Sequence, residues 1–274
     1  MLSLVSGADW TTLRGVLIDL DGVVYTGSQA IPGAAAFLAQ ARVRGLRFLL
    51  VTNNSTASPE VVAQRLATMD IAVQPGEVLT SGQAAAAYVR QHSAAPPRVR
   101  IIGETGLYEA AREEGLIATE DGESVEWVLA GLDRAFTYEK LTAATRAIRS
   151  GARFVATNAD ALLPIEGGQV IPGAGSIVAA IQTATATEPV VVGKPQPALF
   201  DHGLRRLGGL HPAEVAMIGD RIDTDVLGGQ RAGLRTILVL SGVTTARQAQ
   251  VSAVQADAVA SNLAAVADLL GWKA

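Results

Sequence analysis

Asp19 and Asp21 stand one residue apart in "VLIDLDGVVY" (16–25), with Gly22 directly after them. An Asp-Gly pair alone would serve as a turn. A second carboxylate adds repulsion, which a cation would offset or a reaction would use. Three further stretches place reactive groups behind apolar runs. Thr52, Asn53 and Asn54 follow "RFLLV", Lys194 follows "PVVVG", and Asp220, Asp223 and Asp225 follow "VAMIG". Carboxylates with a lysine suit Mg²⁺ and phosphate together, because Mg²⁺ takes hard oxygen ligands and few protein carboxylates. Lys194 and the Thr52 hydroxyl would hold phosphoryl oxygens, and an aspartate can itself accept the phosphoryl group as an aspartyl-phosphate. Singly, each stretch has a plainer reading: a turn, a satisfied loop, a solvated lysine, an acidic helix start. Their recurrence at one kind of strand end favours chemistry, since open parallel sheets bind ligands beyond the carboxyl ends of their strands.

The elements that must position these residues alternate along the chain. "GVLIDL" (15–20) and "RFLLVT" (47–52) read as strands, with a helix between them that opens near Pro32 and stops at Gly45. "SPEVVAQRLATMD" opens a second helix, with Ser58 as N-cap and Pro59 at its first position. Helices between strands are the crossovers that parallel strands require, so the order predicts a parallel α/β sheet. "PVVVGK" (189–194), "EVAMIGD" (214–220) and "RTILVL" (235–240) resume the pattern. The middle alternates too, with strands in 98–103, 125–132 and 152–157 and a helix capped by Thr137 and stopped by Gly151. "HSAAPPR" (92–98) reads as a loop.

At 274 residues and 49% hydrophobic content, the chain has material for one large domain or two smaller ones. A net charge of −4 without a basic block gives no reason to expect nucleic-acid binding. The absence of cysteine excludes disulfides, thiolate metal sites and cysteine nucleophiles. "MLSLVSGADW" lacks the pattern of a leader, and the uncharged stretch 167–187 is too rich in Gly, Gln and Thr for a membrane span, so a cytoplasmic protein is expected. Competing motifs fail. "VVGKP" has Pro195 in place of a phosphate-loop Ser/Thr, and "GAGSIV" has Val178 where a dinucleotide fingerprint needs its last glycine. Leu227 and Leu234 replace oxygen ligands in the nearest calcium-loop frame, and His92, His202 and His211 are dispersed.

"DLDGVVY", "VTNNS", "VVGKPQPALF" and "IGDRIDTD", in that order, resemble the four motifs of the haloacid dehalogenase superfamily. "AIPGAAAFL", "GLDRAFTYEKL", "ATNADALLP" and "IPGAGSIVAA" narrow the resemblance to its 4-nitrophenylphosphatase-like branch. It implies a Rossmann-like parallel-sheet core (1–80 and 187–274) with an inserted α/β cap domain (81–186). It also implies that Asp19 is the nucleophile and a Mg²⁺ ligand, and that Asp21 is general acid and then base, with its backbone carbonyl on the metal. Thr52, the Asn53 backbone and Lys194 would bind phosphate. Asp220 would complete the metal site, with Asp225 beside it directly or through water. Asp223 matches no motif role and reads as a helix-start acid. A loop at 157–173 would face substrate, with Asn158 and Asp160 against the leaving group. Relatives commonly dimerise through the cap, so a homodimer is implied. Asp70 stands where relatives often place a glycine after a helix.

The expected function is Mg²⁺-dependent hydrolysis of a small phosphorylated metabolite, a sugar-, glycerol- or aryl phosphate, through an aspartyl-phosphate. A nucleotide monophosphatase, a non-catalytic phosphate-binding protein of the same fold and a phosphotransferase are the alternatives. No membrane or nucleic-acid partner is expected.

Overall fold

The computed structural model describes residues 10–119, 124–164 and 169–272. The reading of the first ten residues as free of a leader falls largely on 1–9, and residues 165–168 of the 157–173 loop also lie outside the described residues. The chain forms two compact units: residues 1–52, 63–79 and 194–274 make the first, and residues 53–62 and 80–193 the second. No helix among the described residues is long and apolar enough to cross a membrane.

The first unit is built on a six-stranded sheet. Its order is Ala258–Ala260, Arg235–Val239, Val215–Gly219, Gly15–Asp19, Arg47–Thr52, Val78–Thr80, the last strand ending at the unit boundary. Pairing is parallel from Ala258–Ala260 through Arg47–Thr52. Gly15–Asp19 is buried along its whole length. Strands buried on both faces read as continuous apolar runs, and this one does until its final aspartate. The register sets Asp19 opposite Val51, so Thr52 ends the neighbouring strand one residue further on. Helices Ala34–Val43 and Pro59–Ala67 follow the strands as expected. After the second of these, Asp70 takes a left-handed φ of 59° where a glycine would be unstrained.

The second unit carries its own five-stranded parallel sheet, ordered Val190–Val191, Arg153–Ala156, Trp127–Ala130, Arg98–Ile102, Ile117–Ala118. One element differs from expectation. "PVVVGK" does not resume the core alternation, because Val190 and Val191 pair with Val155 and Ala156 of this sheet. Residues 187–193 therefore group with the second unit, as do residues 53–62, which are tied in by the Gly106 N–H donating to the Thr56 carbonyl at 3.0 Å. The Thr137 hydroxyl caps helix Tyr138–Arg149 by accepting from the Lys140 N–H, and Gly151 ends it at φ 105°. Leu162–Pro164 and Val170–Pro172 pair as an antiparallel ribbon.

Candidate active site

Asp19 is the last residue of a central strand and is buried. Its Oδ1 lies 2.7 Å from the Lys194 Nζ, and the same ammonium lies 2.7 Å from Asp225 Oδ1. Asp220 follows the neighbouring strand Val215–Gly219. Oxygens of Asp19, Asp220 and Asp225, one from each, lie within 4.8 Å of one another, and all three residues are buried; among the described residues this is the one such cluster.

Local backbone geometry makes the crowding feasible. After Asp220 the chain enters a wide helical turn, Ile222–Val226, in which the N–H groups of Asp225 and Val226 both reach the Arg221 carbonyl. Such turns concentrate at functional sites. The turn swings Asp225 inward, where its Oδ2 accepts from the Arg221 N–H at 3.1 Å. Gly22, at φ 79°, and Gly242 each lie where a Cβ would collide with Asp220 Oδ2. Only glycine fits the first of these, since it combines a left-handed backbone with close approach.

Three acids and one lysine leave an excess of negative charge, and the titration behaviour reflects it. Burial pushes the Asp19 carboxyl well above its ordinary value; Lys194 opposes this, and Asp225 and Asp220 add to it. Burial and then Asp225 raise Asp220 to about 6, against the Val243 N–H and the Lys194 and Arg221 charges. Burial works to neutralise Lys194, but Asp19 and Asp225 outweigh it and hold the ammonium above its usual range. Asp220 Oδ2 accepts from the Val243 N–H at 2.6 Å, whereas its Oδ1 is buried with no hydrogen-bond partner. A buried carboxylate oxygen without a donor is costly unless a cation meets it. A hard divalent ion suits this set of oxygens.

Asp21 occupies a different setting. The residue is exposed, yet protein crowds its carboxyl on the inner side, and this raises its pKa against Arg65, the Tyr25 hydroxyl and Lys194. Tyr25 Oη donates to Asp21 Oδ2 at 3.3 Å. Asp223 is exposed and paired with the Arg221 guanidinium through both oxygens, at 3.1 and 2.8 Å, outside the buried cluster.

Asn53, Asn158 and Asp160 all belong to the second unit. There the Asn158 amide donates to the Asn53 carbonyl at 2.8 Å, and the Asn53 amide donates to Asp160 Oδ2 at 3.0 Å. Ser81 Oγ also donates to the Asn53 carbonyl, at 2.6 Å. Asn158 is buried and Asp160 half-buried, so both brace the Asn53 segment. Sequence reasoning passed over Tyr25, Arg65 and the 241–244 loop, in which the Ser241 hydroxyl donates to the Gly22 carbonyl at 2.7 Å. The Ser-Gly directly after "ILVL" was the available signal for that loop.

A sheet with an acid at or just after the end of each of two adjacent central strands, Asp19 and Asp220, and a buried lysine bridging Asp19 to Asp225, defines a member of the haloacid dehalogenase-like hydrolases. Models of that family match residues 16–117 and 191–266. The chain belongs to this family, in its 4-nitrophenylphosphatase-like branch. It is 42% identical over 237 residues to an acid sugar phosphatase of Staphylococcus aureus, covering 86% of this chain and 90% of that protein. The structure of a 4-nitrophenylphosphatase from Thermotoga maritima matches with a TM-score of 0.88 at 32% identity, over 94% of this chain and 98% of the other. A glycerol phosphate phosphatase from Mycobacterium tuberculosis, solved in complex with magnesium, matches with a TM-score of 0.87 at 34% identity, over 97% of this chain and 78% of that one.

Proposed function

We propose that this chain is a Mg²⁺-dependent phosphatase that hydrolyses small phosphate monoesters of the sugar-, glycerol- or aryl-phosphate kind. The observation that carries the reading is the buried Asp19 carboxylate held 2.7 Å from Lys194, with Asp220 and Asp225 alongside. The phosphatase names of the relatives support it.

In the first half-reaction an Asp19 carboxylate oxygen attacks phosphorus and forms an aspartyl-phosphate while the ester P–O bond breaks. Asp21 gives its proton to the departing alkoxide, so the alcohol leaves neutral. In the second half Asp21, now a carboxylate, takes a proton from water, whose oxygen attacks phosphorus and frees Asp19. Lys194 places positive charge beside the attacking carboxylate and the phosphoryl oxygens, with the Thr52 hydroxyl and the Asn53 backbone as further phosphate contacts. Stabilising charge that builds on those oxygens is most of what a protein contributes to phosphoryl transfer. Asp19, Asp220 and the Asp21 carbonyl would hold the metal, which when bound supplies charge neutralisation that three acids and one lysine lack. Asp225 has both oxygens engaged, by Lys194 and by the Arg221 N–H, so it would act through that lysine and reach the metal through water. Asn158 and Asp160, which brace the Asn53 segment, are the candidate contacts for the leaving group.

A phosphate-release screen over phosphorylated metabolites and 4-nitrophenyl phosphate, with Mg²⁺ or EDTA, tests this reading. Release that needs Mg²⁺ and vanishes in Asp19→Asn is expected. Full release by Asp19→Asn would sink the mechanism.

A further inference from the structure

Asp21 sits at an exposed rim, yet the proposed chemistry needs its carboxyl aimed at one point in both half-reactions. The last torsion of an aspartate is broad and roughly two-fold, so crowding alone does not decide which oxygen faces the leaving group. Among the described residues the Tyr25 hydroxyl is the one side chain that donates to it, at 3.3 Å to Oδ2. This leaves Oδ1 to carry the proton. Tyr25 is itself fixed. The residue is 4% exposed, and its backbone carbonyl accepts from the Gly22 N–H at 2.8 Å. It also begins a two-residue hairpin in which Tyr25 pairs with Ala30 and Thr26 with Gln29.

The hairpin is tied down from outside by Arg65, on helix Pro59–Ala67. The Arg65 guanidinium lies 4.6 Å from the centre of the Tyr25 ring, and its Nη2 donates to the Gly27 carbonyl at the hairpin tip at 2.9 Å. A cation over a ring face and a charged hydrogen bond from the same side chain hold ring and turn together.

We propose that Tyr25, clamped beneath Arg65, is a positioning residue that holds the Asp21 carboxyl in line for proton transfer to the leaving group. This rests on the phosphatase reading above. Losing the clamp would slow expulsion of a poor leaving group, which needs the proton, far more than that of 4-nitrophenolate, which departs without it. The parameter to read is kcat/KM, because it reports the step in which the leaving group departs.

The experiment measures kcat/KM for glycerol 3-phosphate and for 4-nitrophenyl phosphate in the wild type, Tyr25→Phe, Arg65→Gln, Arg65→Lys, Asp21→Asn and the Tyr25→Phe/Asp21→Asn double variant. Tyr25→Phe is expected to lower the alkyl value about fivefold, the worth of one such hydrogen bond, and to change the aryl value less than about twofold. Arg65→Gln should fall in the same direction, Arg65→Lys should recover part of the loss, and the double variant should be no worse than Asp21→Asn alone. Wild-type protein that hydrolyses neither ester would overturn the phosphatase reading and this proposal with it. An active wild type whose variants lose both esters equally, or lose nothing, overturns this proposal alone. Tyr25→Phe keeps the ring and Arg65→Gln keeps the hydroxyl, so a folding defect in one leaves the other to decide.

Discussion

Lys194 and Asp225 form an ion pair closed to solvent: 2.7 Å separates Nζ from Oδ1, and the side chains are 3% and 0% exposed. The same ammonium serves Asp19, so one lysine answers two buried acids while Asp220 stands close by. Removing one partner from such a group costs far more than the pair contributes, because the remaining charges stay buried without compensation.

Lys194→Met should therefore lower stability by about 3–5 kcal/mol at pH 7 without metal. With the lysine gone, the Asp19 carboxyl, already raised, rises further. A raised carboxyl pKa costs stability above its folded value and nothing below the unfolded one, so the deficit should shrink as pH falls toward 4. Urea unfolding at pH 7 and pH 5 measures both effects. A deficit that grew on acidification would contradict the assignment.

Asp220, raised from 3.8 to about 6, makes the metal-free protein pay for its own site. Its contribution is fully present below pH 4 and is lost as pH rises through 6, a span of roughly 2–3 kcal/mol. Asp220→Asn should then match or exceed the wild type in thermal stability at pH 7 in EDTA. Saturating Mg²⁺ should raise the wild-type Tm by about 5 °C, and that of Asp220→Asn by less than about 1 °C. Equal responses would place the ion elsewhere.

His202, on helix Pro197–Arg206, shifts in the opposite sense. Burial first, then Arg205 and Arg206, lower it from 6.5 to about 4. The unfolded chain takes up a proton below pH 6.5 and the folded one does not, so stability is whole above 6.5 and falls as pH drops toward 4. Below 4 the loss is complete, at no more than roughly 3 kcal/mol. Replacing His202 by Gln should remove this acid-side loss, read as the difference between the two proteins across pH 4–7. Parallel profiles would refute it. The difference is needed because Asp19 and Asp220 titrate with the opposite sign in the same window.

Much of this arrangement was legible because parallel strands declare themselves. A continuous apolar run ending in Asp19, Thr52 or Asp220 fixes both the strand and the end at which its chemistry stands. Where two sheets compete the signal fails: Val190 and Val191 suit either, and only pairing with Val155 and Ala156 decides. Backbone donors are silent as well, since the Val243 N–H that meets Asp220 would come from any residue but proline. Arg65 is equally hidden, because a cation lying over a ring forty positions away leaves no spacing to read. Asn158 and Asp160 stood out as polar loop residues, and spacing could not show that Asn158 donates to the Asn53 carbonyl while Asp160 accepts from the Asn53 amide.

Two helix ends carry strain that glycine would relieve. Asp70, at φ 59°, follows helix Pro59–Ala67, and Ala186, at φ 55°, caps helix Ala174–Thr185. Both residues are exposed, so a substitution disturbs no packing. Left-handed backbone costs a side chain with a Cβ roughly 1–2 kcal/mol, less for aspartate, which bonds locally, than for alanine. Part of that gain is offset by the greater freedom of glycine in the unfolded chain. Ala186→Gly should stabilise by roughly 0.5–1 kcal/mol and Asp70→Gly by less, with their effects additive because the sites lie in different units. Urea midpoints of the two single variants and the double variant measure this, with phosphate release unchanged. A loss of stability in Ala186→Gly would show that the alanine is unstrained there.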